Sequence, residues 1–83
     1  MVDLFKRFRP LPCRLVDRAL KNLGFTEDKG KGSSHRQWRK VTAGHLYKVT
    51  LDCHRGEVSA KNVRSIIRQA GVTAQAFYQA AEH

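Results

Sequence analysis

Two neighbouring β-rich runs in the middle of the chain constrain its fold more than any other feature. They are Ser34 to Val41 and His45 to Leu51, and only Thr42-Ala43-Gly44 separates them. So short a turn between two such runs predicts an antiparallel pair. Successive strand residues point to opposite faces of a sheet. In the first run one face would carry His35, Gln37 and Arg39, and the other face Arg36, Trp38 and Lys40. In the second run the inward face would carry Tyr47, Val49 and Leu51, and the outward face Leu46, Lys48 and Thr50.

Amphipathic helices are predicted on both sides of these strands. One apolar stripe at helical spacing runs from Leu11 to Leu23. Ser59 is a favourable N-cap for a second helix over Ala60 to Ala70, which Gly71 ends, and Thr73 is placed to cap a short last helix. The stripes comprise Leu11, Leu15, Val16, Ala19, Leu20 and Leu23, then Val63, Ile66, Ile67 and Ala70, and finally Phe77, Ala80 and Ala81.

The order of these elements predicts an α+β fold of double-stranded-RNA-binding-like layout, α-β-β-β-α plus a short C-terminal helix. Phe25 to Asp28 supplies a short edge strand, and Asp52 to Val58 is predicted to be a polar loop. Two helices on one face of a three-stranded antiparallel sheet would bury the apolar stripes and leave the other sheet face polar and basic. We expect residues 1–10 to form a basic N-terminal arm and residues 11–83 a single domain.

The charge balance predicts a polyanionic partner. Sixteen Lys and Arg against seven Asp and Glu give the 83-residue chain a formal charge of +9. Nucleic acid, an acidic membrane surface and an acidic protein are the candidates. A basic surface that serves only solubility is the alternative, which so large an imbalance disfavours because it brings self-repulsion. No apolar run approaches the roughly 20 residues of a membrane span, so a membrane partner is not expected.

The two cysteines, Cys13 and Cys53, could pair in principle. Residues 1–12 lack the continuous apolar core of a secretory signal, so we expect a cytoplasmic protein. In the reducing cytosol free thiols are the usual state, and the sequence therefore predicts that the two cysteines stay unpaired.

A glycine- and serine-rich turn ahead of the first central strand is the strongest candidate site. Within Lys29 to Arg36, Gly32 and Ser33 allow a phosphate to approach main-chain N–H groups closely, while Lys31 and Arg36 add fixed positive charge. His35 can take and give a proton near neutral pH. A strand histidine that only caps the turn is the alternative interpretation, because most histidines have no chemical role.

A second basic cluster lies on the predicted second helix, where Lys61, Arg64 and Arg68 share one face. Phosphate contact and an ordinary solvated helix face are both compatible with it. Trp38 and Tyr47 could stack on bases, but their strand positions favour the core. No metal or cofactor is predicted. The histidines and cysteines lack the close-spaced ligand pairs of a zinc site, and the carboxylates are too scattered for a two-metal nuclease. The glycine turn lacks the strand–GxxxxGK[ST]–helix context of a nucleotide-binding loop.

Several segments in order resemble the HicA-type mRNA interferase toxins of bacterial toxin–antitoxin pairs. Leu15 to Phe25 is similar to that family's first helix and the Gly-Phe that ends it. Gly32-Ser33-Ser34-His35 is similar to the family's Gly-Ser-x-His signature, and the segment from Asn62 to Val72 is similar to its second helix. His54 is similar to a histidine that ends its third strand, although Asp52-Cys53 replaces the Pro and basic residue common before it. The similarity covers about residues 11–77.

The resemblance implies a type II toxin that cleaves mRNA independently of the ribosome, with His35 as the catalytic residue and a HicB-type antitoxin as its neutralising partner. The basic surface adds the expectation that this antitoxin is acidic and covers His35. With one histidine clearly placed, a slow, metal-independent endoribonuclease is expected. The predicted RNA-binding residues are Lys31, Gly32, Ser33, Arg36, Lys61, Arg64 and Arg68. The alternatives are a non-catalytic RNA-binding module of the same fold and a protein-only role on an acidic partner.

Overall fold

A computed structural model describes residues 8–28, 35–53 and 56–82, with His35 defined by its place in a strand. Among these residues no helix is long and apolar enough to pass through a bilayer. The elements are, in chain order, β1 (Leu11–Pro12), α1 (Cys13–Asn22), β2 (Thr26–Asp28), β3 (His35–Thr42), β4 (His45–Asp52), β5 (Glu57–Val58), α2 (Ala60–Ala70) and α3 (Ala74–Glu82). This α+β arrangement of three helices and a three-stranded antiparallel sheet confirms the predicted fold class.

The central sheet has the strand order β2-β3-β4, and both of its strand pairs are antiparallel. The β3–β4 hairpin closes at the pair Thr42↔His45, so its turn consists of Ala43 and Gly44 alone. Both residues have positive φ, 50° and 75°, as a type I′ turn requires. This turn continues the right-handed twist of the strands and fixes the register of every pair from His35↔Asp52 to Thr42↔His45.

One face of the sheet is buried beneath the helices. Trp38 is 1% exposed, and Val49 and Leu51 are fully buried, as the alternation predicted. Tyr47, on the same face, is partly buried. The helices close over this face as α2 packs on β4 and α1 packs on α3. The core consists of Leu11, Cys13, Val16, Ala19, Leu20, Phe25, Trp38, Val49, Leu51, Val58, Val63, Ile66, Ile67, Ala70, Phe77, Tyr78 and Ala81.

The predicted caps are present. The hydroxyl of Ser59 accepts a hydrogen bond of 3.2 Å from the backbone N–H of Asn62. Thr73 likewise accepts from the N–H of Ala76 at 3.1 Å, which begins α3. Each bond satisfies a donor that the first helical turn leaves without an intrahelical partner.

Two sequence expectations about residues 52–58 are wrong. Glu57 and Val58, expected in a polar loop, form β5 and pair antiparallel with Pro12 and Leu11 of β1. The cysteines, expected as free thiols, are joined in a Cys13–Cys53 disulfide with their Cα atoms 6.1 Å apart. Both outcomes have one cause. The chain leaves β4 beside the start of α1, a proximity between residues 40 positions apart that no local pattern reveals.

The residues ahead of β1 contact the last helix. The backbone N–H of Arg9 donates to the hydroxyl of Tyr78 at 2.7 Å, and that hydroxyl donates in turn to the carbonyl of Arg9 at 2.9 Å. The guanidinium carbon of Arg9 also lies 4.2 Å from the centre of the Tyr78 ring. Phe8 packs against the edge of the core. Residues 8–10 of the predicted N-terminal arm are thus held against the domain.

Gly71 ends α2 and lies against the sheet. Its φ of +71° is left-handed, and its N–H donates to the carbonyl of Arg68. A Cβ built at this position would lie 2.7 Å from Cε1 of Tyr47. Glycine is required here both for the backbone conformation and for the close approach of the Tyr47 ring.

We expect Gly71→Ala to lower the free energy of unfolding by about 2–5 kcal/mol, the combined cost of left-handed alanine and of overpacking against Tyr47. The matched control is Gly44→Ala, which has φ +75° but nothing within 4 Å of its Cβ, and should cost only about 1–2 kcal/mol. Urea denaturation measures both. Equal costs for the two variants would show that the Tyr47 contact contributes nothing.

Candidate nucleic-acid interface

The sheet face turned away from the helices forms a continuous polar surface, which we call the open face. It is built on four cross-strand pairs of β3 and β4, and on the two outward positions of β2. All of its described side chains are exposed except Asp52, which is partly buried. The pairs are His35↔Asp52, Gln37↔Thr50, Arg39↔Lys48 and Val41↔Leu46, and the β2 residues are Thr26 and Asp28.

One hydrogen bond establishes how these pairs are spaced. The backbone N–H of Thr50 donates to Oε1 of Gln69 in α2 at 2.9 Å, so it points away from β3. Gln37↔Thr50 is therefore a non-hydrogen-bonded pair, and the alternation of antiparallel ladders extends this to every pair of the open face. In such pairs the Cα atoms lie about 4.5 Å apart, and the side chains approach more closely than at hydrogen-bonded pairs.

His35 and Asp52 form the last of these pairs, at the end of the sheet far from the hairpin turn. The register pairs His35 directly with Asp52 across the two strands. Beside Asp52 a groove of about 310 Å³ opens between the edge of β4 and α2. Its walls are polar apart from Ile66, and they comprise Thr50, Asp52, Asn62, Ser65, Ile66 and Gln69.

Arg36 does not belong to the open face, although it follows His35 in sequence. It lies on the helix-facing side of β3, with 29% of its side chain exposed. Its guanidinium donates to both carboxylate oxygens of Glu27 in β2, at 2.5 and 3.0 Å, and to Asp17 of α1 at 2.8 Å. These bonds link three elements through one side chain.

The hydrogen bond to Glu27 is the main cause that raises the pKa of Arg36 above its already high value. Burial opposes this rise but is a smaller effect than that hydrogen bond, and Asp17 raises the pKa further. The guanidinium is therefore permanently charged, and two carboxylates compensate that charge. The predicted role of Arg36 in RNA binding remains a prediction, and phosphate contact there would compete with both carboxylates.

The predicted basic cluster of α2 is exposed but does not line the groove. Lys61, Arg64 and Arg68 lie on one stripe of the helix, and Asn62 and Gln69 face the groove from the adjacent stripe. Arg64 extends towards the opposite end of the chain, where its guanidinium carbon lies 5.8 Å from the centre of the Phe8 ring. None of the three cations is among the residues that line the groove beside Asp52.

The remaining predicted site residues, Lys31, Gly32 and Ser33, and also His54, lie outside the described residues. Within the ranges 8–28, 35–53 and 56–82, no three His, Cys, Asp or Glu side chains are grouped so that they could hold a metal ion.

Sequence reasoning missed Asp52, Arg39 and Lys48 as candidate functional residues. A signal for all three was present, because counting outward from the two-residue turn pairs 39 with 48 and 35 with 52. The count requires the exact length of the turn, and the sequence prediction had assigned three residues to it, Thr42-Ala43-Gly44.

Comparison with known proteins agrees with this arrangement. A family model described as the HicA toxin of bacterial toxin–antitoxin systems matches residues 13–72, which is most of the chain. That span begins with α1 and ends just after α2, so it includes the sheet, the groove and the open face. No curated protein matches the chain.

We expect Arg36→Gln to lower the free energy of unfolding by about 1–3 kcal/mol, because it removes the charged hydrogen bonds that join β3 to Glu27 and Asp17. Arg39→Gln, on the same strand but exposed on the open face, should change it by less than about 0.5 kcal/mol. Urea denaturation compares the two variants. In a double-mutant cycle, Glu27→Gln should remove much of the Arg36→Gln cost. A cost no larger than that of Arg39→Gln would contradict the structural role.

Proposed function

This chain belongs to the HicA toxin family of bacterial toxin–antitoxin systems, and on that premise we propose that it is an endoribonuclease that cleaves mRNA without the ribosome. A toxin of such a pair acts together with an antitoxin that neutralises it. In the proposal His35 is the catalytic residue, and the neutralising partner is a HicB-type antitoxin, acidic and seated over His35.

The observation that carries this proposal is the place of His35 in the sheet. Its backbone occupies the first position of β3 and pairs with Asp52, at a position that strand alternation assigns to the open face. An RNA strand can approach this face without any rearrangement of the core. The glycine turn with Lys31, Gly32 and Ser33 directly precedes His35 in sequence, and a turn of this composition suits a phosphate.

Cleavage of RNA through its own 2′-hydroxyl requires two proton transfers. The 2′-oxygen must lose a proton before it attacks phosphorus, and the 5′-oxygen must gain one as it leaves. A neutral imidazole serves the first need and an imidazolium the second, and help of this kind contributes about 10²- to 10⁴-fold. In the proposal His35 performs one of these transfers, and Lys31 and the turn's N–H groups stabilise the negative charge that develops on the phosphate oxygens.

Asp52 has a separate part in the proposal as a positioning residue. A carboxylate opposite a histidine can accept a hydrogen bond from one ring nitrogen, which fixes the tautomer and leaves the other nitrogen to react. The short non-hydrogen-bonded pairing favours such an approach. Asp52 also stands where the family commonly has Pro, so this pairing would be specific to this chain.

A non-catalytic RNA-binding role is the second candidate function. The observation that favours it is the exposed stripe of Lys61, Arg64 and Arg68, which does not line the groove beside Asp52 and could bind phosphates without any chemistry. The two functions differ in a single measurement, namely whether the purified protein cleaves RNA.

We expect His35→Ala to reduce cleavage of a defined RNA in chelator by at least about 10²-fold, the smallest contribution typical of a general acid or base. Thermal unfolding should be nearly unchanged, since the residue begins a strand on the open face. The matched control is His45→Ala, an exposed histidine at the turn end of the same hairpin, which should cleave normally. Cleavage by His35→Ala at the wild-type rate would refute the assignment, and absence of cleavage by the wild type would favour the binding module.

We expect Asp52→Asn to lower kcat about tenfold or more without raising KM, because it loosens the imidazole but removes a negative charge that repels RNA. Asp28→Asn is the matched control. It removes the same charge from an exposed position of the open face, beside Gln37, and should leave kcat unchanged. Steady-state kinetics on a short RNA substrate separate the two constants. A rise in KM with constant kcat would show that Asp52 affects binding alone.

A further inference from the structure

Two side chains of like charge lie at opposed positions on the open face. Arg39 and Lys48 form a directly opposed cross-strand pair, and both side chains are exposed. Their pair is of the non-hydrogen-bonded kind, in which side chains approach most closely. Like charges at opposed positions destabilise a sheet. Among the described residues neither forms an ion pair.

The position of this pair is informative. It lies four residues along the strand from His35↔Asp52, a distance of about 13 Å. Between the two pairs lies Gln37↔Thr50, whose side chains can donate and accept hydrogen bonds. On the far side Val41 and Leu46, 70% and 47% exposed, form an apolar patch at the hairpin end.

We propose that Arg39 and Lys48 form a phosphate-binding subsite for a single RNA strand that crosses the open face from His35 towards the hairpin turn. The proposal rests on the proposed function only in taking RNA as the ligand. A phosphate between the two cations would relieve their repulsion, and the amide and hydroxyl of Gln37 and Thr50 would face the sugar and base edges. Val41 and Leu46 would then support a base beyond the subsite.

The open face fits a single strand better than a duplex or a protein. It is one layer of exposed side chains, as in sheets on which single strands lie with their bases against the surface. The two negative charges of this face, Asp28 and Asp52, lie at the His35 end, so the cations are concentrated at one point along the path.

The test measures how RNA binding depends on salt. The ligand is a labelled 2′-O-methyl RNA oligonucleotide, which lacks the attacking hydroxyl, so that the full chain binds it without cutting it. Each single-strand phosphate contact contributes about 0.7 to the slope of log K against log salt, so R39Q/K48Q should reduce that slope by about 1.4. The control R18Q/K21Q removes two exposed charges from α1 and should leave the slope unchanged.

A second variant separates binding from folding. Lys48→Glu would place opposite charges at the Arg39 pair, so it should raise Tm by a few degrees while it weakens RNA binding at least tenfold. A purely structural role for the pair would move stability and binding in the same direction, and that result would overturn the proposal.

The outcomes also distinguish this subsite from the proposed nuclease activity. An unchanged salt slope in R39Q/K48Q overturns the subsite even when the wild type cleaves RNA. A reduced slope supports the subsite even when no cleavage is found. If R39Q/K48Q keeps the wild-type slope but loses affinity for its acidic antitoxin, the pair serves a protein partner and the RNA proposal is wrong.

Discussion

The register of the β3–β4 hairpin is the constraint on which the rest of the structure depends. A turn of only two residues, Ala43 and Gly44, fixes that register. Because strand side chains alternate with a period of two, a slip of one residue would expose Trp38 and turn Arg39 into the core. Burial of Trp38 in a core that also contains residues of α1, α2 and α3 therefore fixes which side chains lie on the opposite face of the sheet as well. The hydrophobic core and the candidate site are two consequences of the same pairing.

Arg36 shows that formal charge and available charge differ in a small basic domain. Its guanidinium holds β2 and α1 against β3 through Glu27 and Asp17 and is partly enclosed. Arg39, three positions later, is exposed and faces another cation. Both contribute equally to the +9 of the sequence. The hairpin register determines the sheet face on which each cationic side chain lies. That face in turn determines which positive charges are exposed to a polyanion.

Local patterns predicted the features that depend on local chemistry. The alternation of β3 and β4 identified Trp38, Val49 and Leu51 as core residues, and Ser59 and Thr73 cap their helices as side-chain chemistry requires. The Cys13–Cys53 disulfide, the β1–β5 pair and the partners of Arg36 were not predicted, because each joins segments that only the folded chain brings together. For the candidate site, residue chemistry pointed to His35 and its glycine turn and the resemblance implied the catalytic role, whereas Asp52 as the opposed residue required the pairing itself. The assignments of Lys31, Gly32 and Ser33 remain predictions.

The bond between Thr50 and Gln69 also bears on how this sheet meets other polypeptides. β4 is an outer strand, and its unpaired N–H groups would ordinarily be a template on which a foreign strand could add. At Thr50 a side chain from α2 already occupies that template, and on the other side the described part of β2 comprises three residues, Thr26–Asp28. Strand addition at Thr50 would have to displace Gln69 first.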